Sequence, residues 1–291
     1  MEKSKKIIPL KDLNLTDRFL FDEVLEDPQT HQEVLSIIFG REILLLDQTQ
    51  SEKELRVSPL LRSIRMDVYS IDNEEVIYNT EMQQQKKNDL VRRSRYYQSM
   101  VDVSLLEPGV PDYSSLNSVY IIMIMTFDLF GSGKYMYTFR PRCDEVPECF
   151  LDDGAVRIFL NTKGQNKEEV SQELVEFLQY LENTTDAVAA KSGSERIKRI
   201  HQRVRSVRSS EEAGVRYMQA WEEKYYERQE GIAEGIEEGI RILVQDYTEE
   251  GFGREKIVQK LQKHFNLSKE KAETYYEQFH VKTCNFPEAD S

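Results

Sequence analysis

Three side chains in the stretch 64–83 have the types and spacing to handle a metal ion and a phosphate: Asp67, Glu81 and Gln83. The segments Ile64-Arg65-Met66-Asp67-Val68-Tyr69 and Ile77-Tyr78-Asn79-Thr80-Glu81-Met82-Gln83 are rich in β-branched and aromatic residues, and they flank the turn-prone Ile71-Asp72-Asn73-Glu74-Glu75. That pattern predicts a β-hairpin, with Asp67 and Glu81 beside each other on its two strands. Glu81 and Gln83, two apart, share a face of their strand. A hard cation such as Mg²⁺ or Mn²⁺ takes oxygen ligands, keeps several waters, and is held by one or two carboxylates completed by a substrate phosphate. Such an ion activates water and neutralises charge on the phosphate under attack. Spacing alone leaves a second reading open, in which the two acids are solvated polar positions, because short carboxylate motifs recur by chance.

The surrounding elements must position these groups. Residues 86–97 carry Lys86, Lys87, Arg92, Arg93 and Arg95 against Asp89, and the reading is a basic helix that opens directly after Gln83 and steers a phosphate backbone toward the acids. Arg93 and Tyr97, four apart, share a helical face. Tyr97 reads as buried, while Arg93 fits either the site or a solvated surface. Ahead of the hairpin, 17–40 reads as one or two helices interrupted at Asp27-Pro28. Residues 119–127 (Val-Tyr-Ile-Ile-Met-Ile-Met-Thr-Phe) are apolar throughout, as in a central strand covered on both faces. The stretch is too short to span a membrane, which takes about 20 apolar residues.

Further along, 191–208 holds seven lysines and arginines against Glu195, interleaved with Ile197, Ile200, Val204 and Val207 at helical spacing. It reads either as a nucleic-acid grip or as an amphipathic helix docked on the core with its charges in water. A tetrad repeat follows: Glu230-Gly231-Ile232-Ala233, Glu234-Gly235-Ile236-Glu237, Glu238-Gly239-Ile240-Arg241. Its glycine and isoleucine rows suit a self-association helix, whereas glycine's cost of about 1 kcal/mol per site relative to Ala suits a loose linker. Residues 254–265 and 268–279 form a predicted helical hairpin, broken at Asn266-Leu267 and restarted by an N-cap at Ser268. The expected organisation is a domain over 1–190, a helical basic and Glu-Gly-Ile region over 191–250, and a small helical module over 251–282.

The order Arg65-x-Asp67, a gap, then Glu81-Met82-Gln83 resembles the Rpn-type recombination-promoting nucleases, a branch of the PD-(D/E)xK nuclease superfamily whose members often carry a transposase label. The likeness continues through Arg93-Ser94-Arg95-Tyr96-Tyr97, residues 109–113, Phe127-Asp128-Leu129-Phe130-Gly131, Tyr137-Thr138-Phe139 and Ile158-Phe159-Leu160-Asn161-Thr162-Lys163-Gly164, about the first two thirds of the chain. The resemblance implies an α/β, restriction-endonuclease-like mixed β-sheet flanked by helices, with a helical C-terminal extension. It implies a Mg²⁺- or Mn²⁺-dependent endonuclease acting on DNA in recombination or mobility. Asp67 and Glu81 would be metal ligands, Gln83 a third catalytic group, and Arg65, Lys86, Lys87 and Arg93 contacts to nucleic acid or supports of the site. Most of the superfamily has Lys where this chain has Gln83. A neutral amide can orient groups by hydrogen bonding but supplies no charge; the Rpn-like branch resembles this chain in having Gln. The superfamily also draws a further acid from a preceding helix, for which Asp17, Asp22, Glu23 and Glu33 are available.

Composition bounds the remainder. The formal charge of −13 opposes nonspecific DNA affinity, which needs a positive face. Cys143, Cys149 and Cys284, with no C-x-x-C spacing, read as free thiols, and the four histidines form no local ligand cluster. Lys3, Lys5 and Lys6 precede no apolar run, so the expectation is a cytoplasmic protein with no membrane span. Two functions stand: a DNA endonuclease, or a catalytically silent descendant serving as a nucleic-acid-binding or protein-interaction module. In either, the C-terminal helices offer a route to a homo-oligomer, with the linker reading of the repeat standing beside it.

Overall fold

Asp72 builds the turn on which the predicted hairpin depends. Its Oδ1 accepts from the Glu74 and Val76 amides at 2.9 Å each, and its Oδ2 accepts from the buried Tyr78 hydroxyl at 2.8 Å. Glu75 takes the left-handed φ of 61° that the turn requires. The computed structural model describes residues 7–46, 50–55, 64–105 and 112–280. Lys3, Lys5, Lys6, Cys284, the first three residues of the 109–113 motif and the last two of the predicted C-terminal module lie outside the described residues.

The strands are β1 (Gln50–Leu55), β2 (Ile64–Ile71), β3 (Ile77–Gln83), β4 (Val119–Met125), β5 (Met136–Phe139) and β6 (Ala155–Asn161). They form one mixed sheet in the order β1-β2-β3-β4-β6-β5. β1, β2 and β3 are antiparallel neighbours. β3, β4 and β6 run parallel, with Glu81 opposite Met123 and Met123 opposite Phe159. β5 returns antiparallel along the outer edge of β6. The expected central strand is β4, ending at Met125. β1 carries no apolar pattern in Gln-Ser-Glu-Lys-Glu-Leu; its register comes from pairing with β2, and the Lys53 ammonium sits 3.5 Å from the centroid of the Tyr69 ring.

Helices cover both faces: α1 (Arg18–Leu25), α2 (Pro28–Phe39), α3 (Leu90–Leu105), α4 (Gln172–Glu182), α5 (Asp186–Lys191) and α6 (Glu195–Ser209). The Asp17 and Asp27 side chains cap α1 and α2, and Gly40 ends α2 at a φ of 62°. Strand alternation sorts β4 between two cores. Ile122 and Ile124 pack with Phe21, Val34, Phe177 and Ile200, while Ile121, Met123 and Met125 pack with Leu90, Tyr97 and Val101 of α3. Each such side chain, fully buried, contributes roughly 1.5–3 kcal/mol. On the α2 side, buried His31 meets the Thr80 hydroxyl at 3.0 Å, which fixes β3 one residue before Glu81.

One expectation changes here, and one pair of alternatives resolves. α3 begins at Leu90 rather than directly after Gln83. Gln84 through Asp89 are exposed, Leu90 is the first buried apolar residue, and the Arg93 amide closes the first turn on the Asp89 carbonyl at 2.7 Å. Lys86 and Lys87 therefore sit on the loop before the helix. The basic run at 191–208 takes the amphipathic form: Ile197, Ile200, Val204 and Val207 are buried. Arg199 pairs with Glu33 at 2.6 Å, Arg196 with Glu33 and Glu173 at 3.4 Å each, and Arg208 donates to the Thr184 carbonyl at 2.9 Å.

The chain divides into two compact units, 1–217 and 218–291. In the second, Ile240 and Val244 of α7 (Glu211–Glu249) bury with Ile257, Val258 and Leu261 of α8 (Arg254–Phe265) and with Ala272 and Tyr276 of α9 (Lys269–Phe279). The tetrad repeat is helical, with Ile240 buried and Ile232 and Ile236 exposed. Asn266 at a φ of 52° ends α8, and the Ser268 side chain caps α9.

Because one Asp72 carboxylate satisfies two amides and a buried hydroxyl, Asp72→Ala should lower unfolding free energy by about 2 kcal/mol or more. Exposed Glu74→Ala should change it by less than about 0.5 kcal/mol. Urea melts of the two variants beside the parent chain measure the difference.

Candidate active site

Pairing between β2 and β3 extends from Ile71↔Ile77 to Val68↔Thr80. One residue further, side chains take over from the backbone ladder. The Asp67 amide donates to Glu81 Oε1 at 3.0 Å, and the Met82 amide donates to Asp67 Oδ2 at 3.1 Å. Each acid thus accepts a main-chain bond from the opposite strand. Asn79 Nδ2 adds a bond to Glu81 Oε1 at 3.2 Å, and Arg18 Nη2 reaches Asp67 Oδ1 at 2.5 Å. Both carboxylates are buried, Asp67 at 1% and Glu81 at 2% exposure, which sets aside the reading of two solvated positions.

Burial and the adjacent Asp67 charge push the Glu81 carboxyl well above its ordinary value, against the opposing pull of the Asp67 amide, Arg93 and Asn79. Without a metal, the Glu81 carboxyl therefore keeps its proton more readily than an ordinary glutamate. The pair borders a cleft of about 210 Å³ whose lining also includes Arg18, Arg65, Gln83, Lys87, Arg93 and Tyr97. Of the residues singled out from the sequence, Asp67, Glu81, Gln83, Arg65, Lys87 and Arg93 meet at this cleft. Lys86 is exposed and does not line it.

Arg93 stands over Tyr97, its guanidinium carbon 5.7 Å from the ring centroid, a cation–π geometry. Its Nε and Nη2 atoms are buried without a hydrogen-bond partner, so the fork keeps donor capacity beside the acids. Tyr97 is buried, as expected. Arg18 is the residue that sequence reading missed. The available signal was the Asp17 cap, which starts α1 at Arg18. Of the four acids ahead of the hairpin, Asp17 caps α1, Glu23 pairs with Arg216 at 2.6 Å, and Glu33 pairs with Arg196 and Arg199. Buried Asp22 lies 3.5 Å from Arg18 Nε, and so joins the site through that guanidinium.

Among the described residues no group of three or more His, Cys, Asp or Glu is placed to hold a metal. Two buried carboxylates beside a cleft that a phosphate can enter do fit Mg²⁺ or Mn²⁺, because these ions keep waters and take substrate oxygens instead of a full protein cage.

The Glu81 shift has a consequence for stability. A carboxyl whose folded-state affinity for a proton exceeds the unfolded one stabilises fully below the unfolded value of 4.5, and that contribution is lost as pH rises toward about 8. The metal-free protein should therefore melt at progressively lower temperature between those limits. Glu81→Gln should flatten the profile, and Mg²⁺ at pH 8 should restore the parent chain but not the variant. At a metal concentration of 100 Kd the restoration amounts to about 2.7 kcal/mol. Scanning calorimetry across pH checks this.

Among the described residues no helix is long and apolar enough to cross a membrane. No curated protein matches the chain, and no solved structure matches it. A family profile described as PD-(D/E)XK nuclease family transposase matches residues 41–235, a span that includes all six strands, Asp67, Glu81, Gln83 and the basic lining of the cleft apart from Arg18. With its mixed sheet flanked by helices and two buried acids on adjacent strands, this chain belongs to the PD-(D/E)XK nuclease family transposases.

Proposed function

We propose that the protein is a Mg²⁺- or Mn²⁺-dependent DNA endonuclease that hydrolyses phosphodiester bonds in the service of a mobile element, and that it works in the cytoplasm. The observation that carries this reading is the buried Asp67–Glu81 pair, each acid accepting a main-chain bond from the other's strand, in a cleft lined by Arg18, Arg65, Lys87 and Arg93. Asp67 and Glu81 are the residues that would hold the cation. When bound, it supplies charge neutralisation at the phosphate and a water of lowered pKa.

The chain's own groups do the remaining work. Arg93, with two unpartnered buried N–H donors, and Lys87 bind phosphate oxygens and keep the backbone aligned with the acids. Gln83, on the same strand face as Glu81, orients water or phosphate by hydrogen bonds without adding charge. Tyr97 supports Arg93 and excludes water from beneath it. In hydrolysis, water adds to phosphorus while the bond from phosphorus to the leaving sugar oxygen breaks; the water's proton passes to solvent or to a neighbouring oxygen. The overall charge of −13 does not prevent DNA binding if the positive field is local, because the Debye length near physiological salt is about 8 Å.

One observation favours the silent-module alternative: Arg18 holds Asp67 at 2.5 Å, so a guanidinium stands where a cation would be balanced. Under the endonuclease reading Asp67 would have to be shared between Arg18 and the cation. Self-association through the exposed Ile232 and Ile236 has no support from the comparisons.

Purified protein should nick supercoiled plasmid in Mg²⁺ or Mn²⁺, and Asp67→Ala and Glu81→Ala should each lower the rate at least about 100-fold, a loss of about 2.7 kcal/mol or more in transition-state stabilisation. Equal activity in all three preparations would rule these residues out. A parent chain that binds Mn²⁺ calorimetrically but nicks nothing would favour the silent module.

A further inference from the structure

A second cavity, of about 290 Å³, opens on the same face of the sheet as the acids. Phe130, Phe139 and Phe159 form its aromatic wall, with Val91 and Ser94 of α3 opposite and Arg140 and Arg157 beside them. The three rings pack against one another at 5.0, 5.3 and 5.6 Å between centroids. Sheet register fixes the relation to the active site. Glu81 stands opposite Met123, and Met123 opposite Phe159, so Phe159 is level with Glu81 two strands away, about 10 Å at the usual strand spacing. The first turns of α3 separate the two, with Arg93 lining the cleft and Ser94 lining the cavity.

An apolar cavity on a soluble protein takes a flat or bulky apolar group, and the charges at this one say which kind. Arg157 Nε is buried without a hydrogen-bond partner, and Arg140 is exposed at the cavity's edge. The occupant therefore brings a π-face for the phenylalanines, a hydrogen-bond acceptor for Arg157 and an attached anion for Arg140. A nucleobase on its phosphate backbone has all three. A base inside a duplex does not, because its edge is paired and its faces are stacked.

We infer that this cavity receives an unpaired nucleobase of the DNA strand whose phosphate lies at Asp67 and Glu81, so that the preferred substrate is single-stranded DNA or DNA with a displaced base. The inference rests on the endonuclease reading for its geometry, but base capture is measured without cleavage. The base stacks on Phe139, the exposed ring of the three, accepts a hydrogen bond from Arg157, and anchors its strand a few nucleotides from the phosphate under attack.

The test is fluorescence anisotropy in metal-free buffer, using a fluorescein-labelled oligodeoxynucleotide offered single-stranded and as its perfect duplex. The full-length protein should bind the single strand about tenfold tighter, within the range of base–aromatic stacking. Phe139 is 42% exposed, so Phe139→Ala should fold, as a thermal melt verifies, and should lose the preference. Phe139→Trp should keep it. Equal affinity for both DNA forms, or an undiminished preference in folded Phe139→Ala, would overturn the inference. Plasmid nicking run in parallel separates the two ideas. Nicking without single-strand preference sinks only the base pocket, whereas preference that depends on Phe139 without nicking supports the pocket and sinks the hydrolytic reading.

Discussion

Two carboxylates buried side by side repel one another, and their burial is tolerable only where the surroundings supply donors or a cation. Asp67 and Glu81 meet that condition with each other's backbones. The Asp67 amide serves Glu81 and the Met82 amide serves Asp67, so the bonds that compensate the acids are also the ones that continue the pairing of β2 and β3 past Val68↔Thr80. Arg18 and Asn79 supply further donors, while burial, with the adjacent Asp67 charge, still raises the proton affinity of Glu81. Under the proposed reading, a divalent cation would complete a centre of this kind.

The remainder of the first unit keeps that geometry rigid. Parallel strands β3, β4 and β6 are covered on both faces, and the alternation along β4 feeds two separate cores. Glu81 cannot shift by one residue without moving every β3 side chain to the wrong core. Asp72 sets the register from the turn, and His31 with Thr80 secures the face opposite the site. α6 closes the α1–α2 side, its cations engaged by Glu33 and Glu173 and by main-chain carbonyls. Positive charge that looked available along the sequence is in this way divided into a structural share on α6 and a share facing the cleft.

That division reconciles an acidic protein with the polyanionic substrate proposed for it. Long-range attraction is weak or repulsive at a formal charge of −13, whereas contact within a Debye length of Arg65, Lys87 and Arg93 is favourable. Association should accordingly depend on a local fit, and the proposed base cavity beside the cleft would add apolar contact where electrostatic steering is lacking.

The hairpin, the central strand, the paired helices around Asp27-Pro28 and the C-terminal helical hairpin were legible because each rests on local periodicity or a capping side chain. So was the meeting of Asp67, Glu81 and Gln83 at one cleft, since strand alternation and a short turn leave them little freedom. Three things were decided only by tertiary structure. β1 has no apolar period and becomes a strand by bonding to β2. Arg18 reaches Asp67 from 49 residues away in sequence, a distance that no local pattern spans. The basic loop and helix divide between Lys87 in the cleft and Lys86 outside it, because α3 starts where Leu90 can first be buried. Sequence determined which groups are present and their local faces; which of those groups meet was settled by the burial of two cores on one sheet.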